Sequence, residues 1–231
     1  MPSLKYVGLF LVVIIFGTLF IPKIIERINS DAIVDSSRSQ SAEPLNYIML
    51  NDEAKKVPPF MFVNQDSLLI SNEDFTGKVY VAEFFFTSCP SICPIMNKNM
   101  KRIEDIYGSK TDFGIASFTI DPDHDTPSVL KKYAEDYNVF SQNWHFLRGQ
   151  KESIYALANS GFNIFASINP KVEGGFEHQG YFALIDKQGF IRSRSDQFGN
   201  PIVYYMGLDQ EGVEVQDVDL LIEDIQKLLD E

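Results

Sequence analysis

A nearly unbroken apolar run ends just before a pair of closely spaced cysteines, and this junction limits the possible folds more than any other part of the chain. The run from Val79 to Phe86 has the composition of a strand that is buried on both faces. Cys89-Pro90-Ser91-Ile92-Cys93 follows, and next comes an apolar stripe at helical spacing, formed by Met96, Met100, Ile103 and Tyr107. The order of strand, cysteine turn and helix predicts that both cysteines lie at the end of a central strand.

The remainder of the chain alternates segments typical of strands with segments typical of helices. The other predicted strands, some of them paired in hairpins, are Phe60–Val63 with Leu68–Ile70, Phe113–Ile120, Trp144–Leu147, and Tyr181–Ile185 with Phe190–Ser193. The other predicted helices are Pro127 to about Tyr137 with Thr126 as its cap, Glu152 to about Ser160, and an amphipathic segment from Val218 to Leu229. This alternation predicts an α/β sandwich with a mixed central sheet.

Length and charge restrict the function classes. The chain has 231 residues, and the roughly 180 that remain after its amino-terminal segments are set aside suit one domain. With 32 acidic and 20 basic side chains, the net charge is -12, which argues against a surface that binds phosphate backbones. We therefore expect no nucleic-acid partner. Two cysteines are too few for the disulfide framework of a small secreted scaffold, so we expect them to do chemistry.

The amino terminus predicts a membrane anchor. No charged residue occurs between Tyr6 and Ile21, and a helix of this length would rise about 24 Å against a hydrocarbon core of about 30 Å. A cleaved signal peptide that begins with Lys5 is the main alternative, but no small-x-small cleavage site follows; a buried core helix is the other. The predicted organisation is an amino terminus of residues 1–5, one transmembrane helix over 6–25, a polar stalk over 26–46 and a folded domain over 47–231.

The cysteine turn offers two kinds of chemistry. A helix that begins there directs partial positive charge at the sulfurs, which favours the thiolate, the form that attacks disulfides or binds metals. If the segment is helical, Cys89 and Cys93 lie about one turn apart, so both sulfurs can meet one ion. Three residues separate them, whereas thioredoxin-type oxidoreductases have two, and the wider ring leaves more room for an ion. A redox pair, a metal site and a pair of small buried hydrophobes are the alternatives at this point.

A third ligand would favour the metal site, and one of the three histidines is a candidate. His178 follows Gly174-Gly175 and precedes the predicted strand Tyr181–Ile185; in thioredoxin-like architecture, the loop that enters this strand packs against the cysteine turn. Two thiolates and an imidazole suit copper(I), and copper(II) as a second state. Zinc competes, but a structural zinc site normally has four protein ligands, and no fourth is evident. From the residues alone, a histidine in a loop is more often solvated than a ligand.

Four further residues have simpler interpretations. His124 lies in an aspartate-rich loop and is expected to be solvated or ion-paired, with a raised pKa. His145 lies on a predicted strand and is expected to be packed or at an edge. Met96 belongs to the apolar stripe and is expected in the core rather than as a thioether ligand. Asp121 either positions the cysteine turn through its carboxylate or caps its own turn.

Three motifs stand in a defined order along the chain. They are Phe84-Phe85-Phe86-Thr87-Ser88-Cys89-Pro90-Ser91-Ile92-Cys93-Pro94, then Asp121-Pro122-Asp123-His124-Asp125-Thr126-Pro127, and then His178 ahead of an apolar strand that ends in Asp186-Lys187-Gln188-Gly189. In this order they resemble the Sco/SenC family, thioredoxin-like copper chaperones of cytochrome c oxidase assembly. The resemblance covers about residue 57 to about Ser193. Two departures are His124, where the family often has Arg or Lys, and Gln179, where it commonly has Thr.

The resemblance implies a fold, a ligand set and a cargo. It implies a thioredoxin-like domain that binds one copper ion, Cu(I) and also Cu(II), through Cys89, Cys93 and His178. The implied destination is the dinuclear copper A site, so the expected partners are that subunit of cytochrome c oxidase and a thiol reductant or another copper chaperone. The resemblance also implies a single-pass protein of the cytoplasmic membrane, with its amino terminus in the cytoplasm and its domain in the periplasm or an equivalent compartment.

Two functional classes remain in competition. A metallochaperone, which is not an enzyme, is the first expectation, and a thiol-disulfide oxidoreductase that reduces the oxidase cysteines before metallation is the second. Both would use the redox-active pair Cys89 and Cys93, and both can coexist because their disulfide has no thiolate for copper. A peroxidase of the peroxiredoxin type is a third alternative, weakened because Thr87 lies two rather than three residues before Cys89.

Overall fold

The computed structural model describes residues 44–196 and 198–231, together with Phe16, Thr18, Phe20 and Ile21. Those four amino-terminal residues are helical, and the rings of Phe16 and Phe20 stack with their centroids 4.1 Å apart. Within the described part of the chain, no helix has both the length and the apolar character that crossing a bilayer requires. Most of the predicted anchor and nearly all of the predicted stalk lie outside the described residues, so both stay predictions.

The described elements alternate as the sequence predicts, with several short additions. The strands are β1 (Asn46–Tyr47), β2 (Met49–Leu50), β3 (Glu53–Ala54), β4 (Met61–Val63), β5 (Leu69–Ser71), β6 (Val79–Phe85), β7 (Phe113–Thr119), β8 (Trp144–Leu147), β9 (Ala166–Ile168), β10 (Phe176–His178), β11 (Tyr181–Ile185), β12 (Ile191–Ser193) and β13 (Tyr205–Met206). The α-helices are α1 (Cys93–Tyr107), α2 (Pro127–Asp136), α3 (Lys151–Ala156) and α4 (Asp217–Asp230). A 3-10 helix covers Asn72–Phe75, and a π-helix, Leu157–Phe162, continues α3.

The main sheet is mixed, as predicted, and β6 lies at its centre. Its strand order is β1-β12-β11-β6-β7-β8, and β13 also pairs with β11. β6, β7 and β8 are parallel, whereas β11 pairs with β6 in the antiparallel sense. All seven residues of β6 are buried, and so are all seven of β7, which explains why the sequence of both strands is apolar without alternation.

Helices cover the two faces of this sheet and make the predicted sandwich. Phe84 and Phe118 are neighbours in register on β6 and β7, and the ring of Phe162 in the π-helix packs against both. Phe85 points to the opposite face because side chains alternate along a strand. There its ring centroid lies 5.5 Å from that of Tyr133 on α2. The cysteine-bearing helix α1 lies on this second face, because the ring of its Tyr107 packs against Phe113 of β7. Phe113 is on the same face as Phe85, since odd-numbered residues of β6 pair with odd-numbered residues of β7.

The histidine candidate belongs to an element that the sequence analysis did not predict. β9 and β10 form their own two-stranded sheet, in which Phe176 pairs with Ile168 and His178 pairs with Ala166. The prediction of a loop at His178 is therefore wrong in detail. Each strand is only three residues long and partly exposed, which is too short for an apolar run or a sustained alternation to mark it in the sequence.

Buried charges fasten the carboxyl-terminal helix α4 to the sheet. Asp224 is fully buried, and its carboxylate accepts hydrogen bonds from Arg194 Nε at 2.6 Å, from Arg194 Nη2 at 2.9 Å and from the Tyr205 hydroxyl at 2.7 Å. Arg194, which directly follows β12, is itself only 3% exposed. Breaking such a pair is expensive because the remaining charge stays out of water.

We predict that Asp224→Ala lowers the free energy of unfolding by about 3–5 kcal/mol, because it leaves the buried Arg194 guanidinium without this carboxylate. Urea denaturation measures the loss. Asp230→Ala, on the same helix but exposed, is the matched control and should cost at most about 0.5 kcal/mol. Equal losses in the two variants would contradict the importance of the buried pair.

Candidate metal centre

Three predicted site residues, far apart in sequence, lie together at the end of β6. One donor atom from each of Cys89, Cys93 and His178 falls within 4.8 Å of the other two. His178 Nε2 is 3.2 Å from Cys93 Sγ, and both cysteines are free thiols. Cys93 is fully buried, Cys89 is 8% exposed, and His178 is half-buried. The arrangement is therefore a small donor cluster with one side open toward solvent.

The two sulfurs meet through a turn and not along one helical face. α1 begins at Cys93, so Cys89 lies in the preceding turn, where its N–H donates to the carbonyl of Phe86 at 3.3 Å. Ile92 occupies the cap position of α1 and provides no capping side chain. The Cys89 sulfur takes that role, because it accepts the Cys93 N–H at 3.4 Å. The helical spacing argument is thus wrong for Cys89, although the convergence that it predicted is present.

This position makes the two thiols chemically different. Hydrogen bonding from the Cys93 thiol, then from His178 and from the backbone N–H groups of Cys93 and Ser91, lowers the pKa of Cys89 to about 3 against the opposing effect of burial. Burial raises the pKa of Cys93, and the neighbouring Cys89 sulfur raises it further. Cys89 is therefore the thiolate of the pair and Cys93 the thiol.

His178 is oriented by its own hairpin and by the aromatic ring of Phe86, the residue that follows the central strand. Its ring stands nearly perpendicular to that of Phe86, at 78° and 5.9 Å between centroids, and Phe176 packs on the same ring at 5.2 Å. Its Nδ1 lies 3.3 Å from the carbonyl of Gln179. A proton on Nδ1 can be donated to that carbonyl, and the Nε2 that faces the sulfurs would offer its lone pair to a metal ion once it no longer donates to Cys89.

The side chain of Gln179 supports the hairpin and not the imidazole of His178. Its side-chain oxygen accepts the N–H of Phe165 at 2.9 Å, and its own N–H donates to the Phe165 carbonyl at 3.1 Å. The two bonds join the end of the hairpin to the residue that precedes β9. The orientation of His178 is therefore supported by the backbone, through the carbonyl of Gln179.

Asp125, and not Asp121, holds the cysteine turn. The Asp125 carboxylate is fully buried and accepts the N–H of Thr87 at 3.1 Å, as well as short hydrogen bonds from the hydroxyls of Thr87 and Thr119. It thereby ties the ends of β6 and β7 together two residues before Cys89. Asp121 serves its own loop through its backbone carbonyl, which accepts the N–H of Asp125 at 2.9 Å. The sequence does not reveal which aspartate points inward.

The other candidates have the roles that their sequence context favours. His124 Nδ1 lies 2.8 Å from Asp125, and this hydrogen bond raises the pKa of the exposed histidine. Asp121, His124 and Asp125 are also close enough for a metal, but the Asp125 oxygens are engaged by the threonines. His145 is half-buried on the edge strand β8, where Asn64 lies within 3.2 Å of its Nδ1. Met96 is fully buried in the core.

A buried acid near the cysteines was not predicted, although Glu83 is the one charged residue in an otherwise apolar strand. Glu83 on β6 is fully buried, and burial raises its pKa to about 7 although the Ser117 hydroxyl donates to it at 2.7 Å. Its second carboxyl oxygen has no hydrogen-bond partner among the described residues. Its charge, when present, raises the pKa of Cys93. The pKa of Cys93 therefore depends on a carboxyl group inside the core as well as on its neighbours at the site.

A shallow groove leads to the donor cluster. Its volume is about 280 Å³, and its lining includes Phe86, Ile92, Val172 and Phe176 beside Cys89 and His178. Glu173 and Glu177 add carboxylates to the same groove. An incoming ligand can therefore approach the more exposed sulfur without unfolding any part of the domain.

Fold and site together define a class: a thioredoxin-like domain whose cysteine turn and hairpin histidine offer two sulfurs and one imidazole to a soft ion or a disulfide partner. Comparison with known proteins narrows the class to a family. The SCO1/SenC family model matches residues 49–211, which is more than two thirds of the chain. The chain belongs to the SCO1/SenC family.

Individual relatives agree in sequence and in fold. A protein of Bacillus subtilis (strain 168) described as a SCO1 protein homolog is 36% identical over 155 residues, which cover 66% of this chain and 75% of that protein. A SCO1/SenC family lipoprotein from Bacillus anthracis str. Ames has a TM-score of 0.64 at 27% identity, with 82% of this chain and 99% of the other covered. BsSco, a member of the Sco family of cytochrome c oxidase assembly proteins with a disulfide switch, has a TM-score of 0.61 at 32% identity and coverages of 82% and 97%.

We predict that Asp125→Asn lowers the free energy of unfolding by about 1–3 kcal/mol, because an amide cannot accept from every donor that the carboxylate satisfies. Urea denaturation gives the energy, and faster amide exchange at Thr87 should locate the damage. Asp121→Asn changes the same charge in the same loop and is expected to leave Thr87 protected. Unchanged exchange at Thr87 in Asp125→Asn would count against its role.

We also predict that Cys93→Ala raises the pKa of Cys89, because it removes the hydrogen bond that contributes most to the lowered value. Thiolate absorbance near 240 nm reports the titration. In the wild-type protein it should stay flat from pH about 4 to about 9, whereas the variant should show a sigmoid within that range. His178→Ala should shift the pKa less. A flat curve in Cys93→Ala would refute the assignment of the thiolate.

Proposed function

We propose that this chain is a copper metallochaperone, which holds one copper ion through Cys89, Cys93 and His178 and delivers it to the dinuclear copper A site of cytochrome c oxidase. The observation that carries the proposal is that two sulfurs and one imidazole nitrogen lie within 4.8 Å of one another. His178 reaches this point although it is 85 residues from Cys93 in the sequence. Family membership supports the destination at a general level, since BsSco is a cytochrome c oxidase assembly protein.

The donor set favours copper over other metals. Thiolates are soft ligands that suit copper(I), and an imidazole suits copper in either oxidation state. Zinc would normally take four protein ligands in a structural site, and the cluster around Cys89 offers three His, Cys, Asp or Glu donors among the described residues. The lowered pKa of Cys89 keeps this ligand deprotonated at neutral pH, so of the two cysteines only Cys93 has to release a proton when the metal binds.

Three ligands also suit a protein that must release its ion. A low coordination number leaves one side of the metal open to an incoming thiolate, which can displace one ligand at a time. Cys89 and His178 border the groove, whereas Cys93 is fully buried. We therefore expect the recipient to displace His178 or Cys89 first and Cys93 last.

The proposed cellular setting follows from the amino-terminal sequence. An anchor over 6–25 and a stalk over 26–46 would hold the domain, residues 47–231, at the outer face of the cytoplasmic membrane, in the periplasm or an equivalent compartment. Support comes from the uncharged run Tyr6 to Ile21 and from a structural relative that is described as a lipoprotein. A thiol reductant or a second copper chaperone would be required to load the reduced site.

We predict that the reduced protein binds one copper per chain and that Cys89→Ala, Cys93→Ala and His178→Ala each weaken binding by more than about 100-fold, since even groups that merely support metal ligands are worth about 10–100-fold. Competition with a copper(I) chelator under anaerobic conditions measures the affinity. His145→Gln, at the edge strand β8, is the control and should bind as the wild type does. Wild-type affinity in His178→Ala would refute the ligand set.

A thiol-disulfide oxidoreductase is the second candidate function, and the difference between the two thiols favours it. Cys89 is the thiolate that would attack a disulfide of the target, and Cys93 would then displace the reduced target, so that two electrons leave the pair and a Cys89–Cys93 disulfide remains. This cycle does not need His178 as a ligand. Oxidase assembly that survives His178→Ala but fails in Cys89→Ala would favour the redox role over copper delivery.

A further inference from the structure

The hairpin that carries His178 rests against the cysteine turn at a position without a side chain. We call Ala166–His178 the histidine hairpin. Gly174 lies near its tip, and a Cβ atom built there would come within 3.1 Å of Cε2 and Cζ of Phe86 and within 3.1 Å of Cδ of Pro90. Such distances are tighter than ordinary van der Waals contact. The close approach between hairpin and turn therefore depends on glycine at this position.

The neighbouring glycine separates this packing effect from backbone conformation. Gly174 and Gly175 have similar positive φ values, +84° and +80°, which L residues rarely adopt. A Cβ on Gly175, in contrast, would have no atom within 4 Å apart from its chain neighbours. Alanine would thus strain the backbone at both positions, but it would collide with the cysteine turn only at Gly174.

The collision would reach His178 through Phe86. The Phe86 ring is 1% exposed, and it contacts Gly174, Phe176 and His178 at once. If the ring yields to a new methyl group, the contact that orients His178 changes. If the hairpin yields instead, it pivots about its base, where Asn159 exchanges two hydrogen bonds of 3.0 Å with Ala166, the strand partner of His178. Phe176, which lies nearer the tip, then lifts from the Phe86 ring, and the ring loses the support that keeps it against His178.

We infer that Gly174 is a positioning residue of the metal centre, whose missing side chain lets the histidine hairpin close on the cysteine turn and sets the distance from His178 to the two sulfurs. Ligand distances in metal sites normally fall within about 0.2 Å of their standard values, so we expect a displacement of a few tenths of an ångström at the hairpin to weaken the site. The effect on copper affinity rests on the proposed function, whereas the effect on the position of the hairpin does not.

The test compares Gly174→Ala with Gly175→Ala in the full chain. With its cysteines reduced, Gly174→Ala should bind copper(I) roughly 10–100-fold more weakly than the wild type, as loss of support around a ligand does. Loaded separately with copper(II), it should show a shifted sulfur-to-copper charge-transfer band. Gly175→Ala should change affinity less than about threefold and leave the band in place. Equal effects in the two variants would mean that only backbone strain matters, and no effect in either would mean that the hairpin adapts; both results overturn the inference.

A measurement on the metal-free protein keeps the inference separable from copper binding. The nuclear Overhauser contact between the His178 and Phe86 rings should weaken in Gly174→Ala and persist in Gly175→Ala, whatever the wild-type protein does with copper. Absence of copper binding by the wild type, together with this pattern, would refute the proposed function alone. Loss of the contact in both variants, or in neither, would refute the role of Gly174.

A rescue variant guards against simple misfolding. Phe86→Leu removes the ring atoms that the new methyl group would meet, and it weakens the site on its own because the ring beside His178 is lost. In that background, Gly174→Ala should cost less copper affinity than it does in the wild type, and thermal unfolding should show both proteins folded. A fully additive loss would contradict packing against Phe86 as the cause.

Discussion

The buried carboxylate of Asp125 joins the ends of two central strands to the turn that carries Cys89, and the geometry of the site depends on this junction. The carboxylate accepts from the backbone and hydroxyl of Thr87 and from the hydroxyl of Thr119. Two residues beyond Thr87, the chain turns so that the Cys89 sulfur caps α1. If the end of β6 moved freely, the two sulfurs would not stay close enough to share one ion. The hydrogen bonds of Asp125 therefore have a structural role as well as an electrostatic one.

The site joins residues from two separate parts of the fold. Cys89 lies in the turn between β6 and α1, and the fully buried Cys93 begins α1, whereas His178 belongs to a separate two-stranded sheet. The two halves meet at Phe86, whose ring contacts His178, Phe176 and Gly174. For the proposed copper chaperone, this division would let His178 leave the ion while the two sulfurs keep their arrangement.

Much of the fold could be predicted from the sequence because local pattern and burial agree. β6 and β7 are apolar without alternation since both faces are covered, and α2 begins at Pro127 after Thr126, whose hydroxyl accepts the Val129 N–H as a helix cap does. What failed depends on contacts distant in sequence. Nothing local distinguishes Asp125 from Asp121, and the three-residue strands β9 and β10 are stabilised by each other and by their packing on the cysteine turn. The proximity of His178 to the sulfurs came from architecture and family resemblance rather than from spacing.

The central claim is that two sulfurs and one imidazole bind the same copper ion. X-ray absorption at the copper edge of the reduced, loaded protein tests it most directly, because sulfur neighbours and the outer shells of an imidazole ring give separate contributions to the spectrum. The account predicts two sulfur neighbours and one imidazole per copper, with the imidazole contribution lost in His178→Ala. A spectrum with fewer than two sulfurs, or an imidazole contribution that survives the loss of His178, would contradict it.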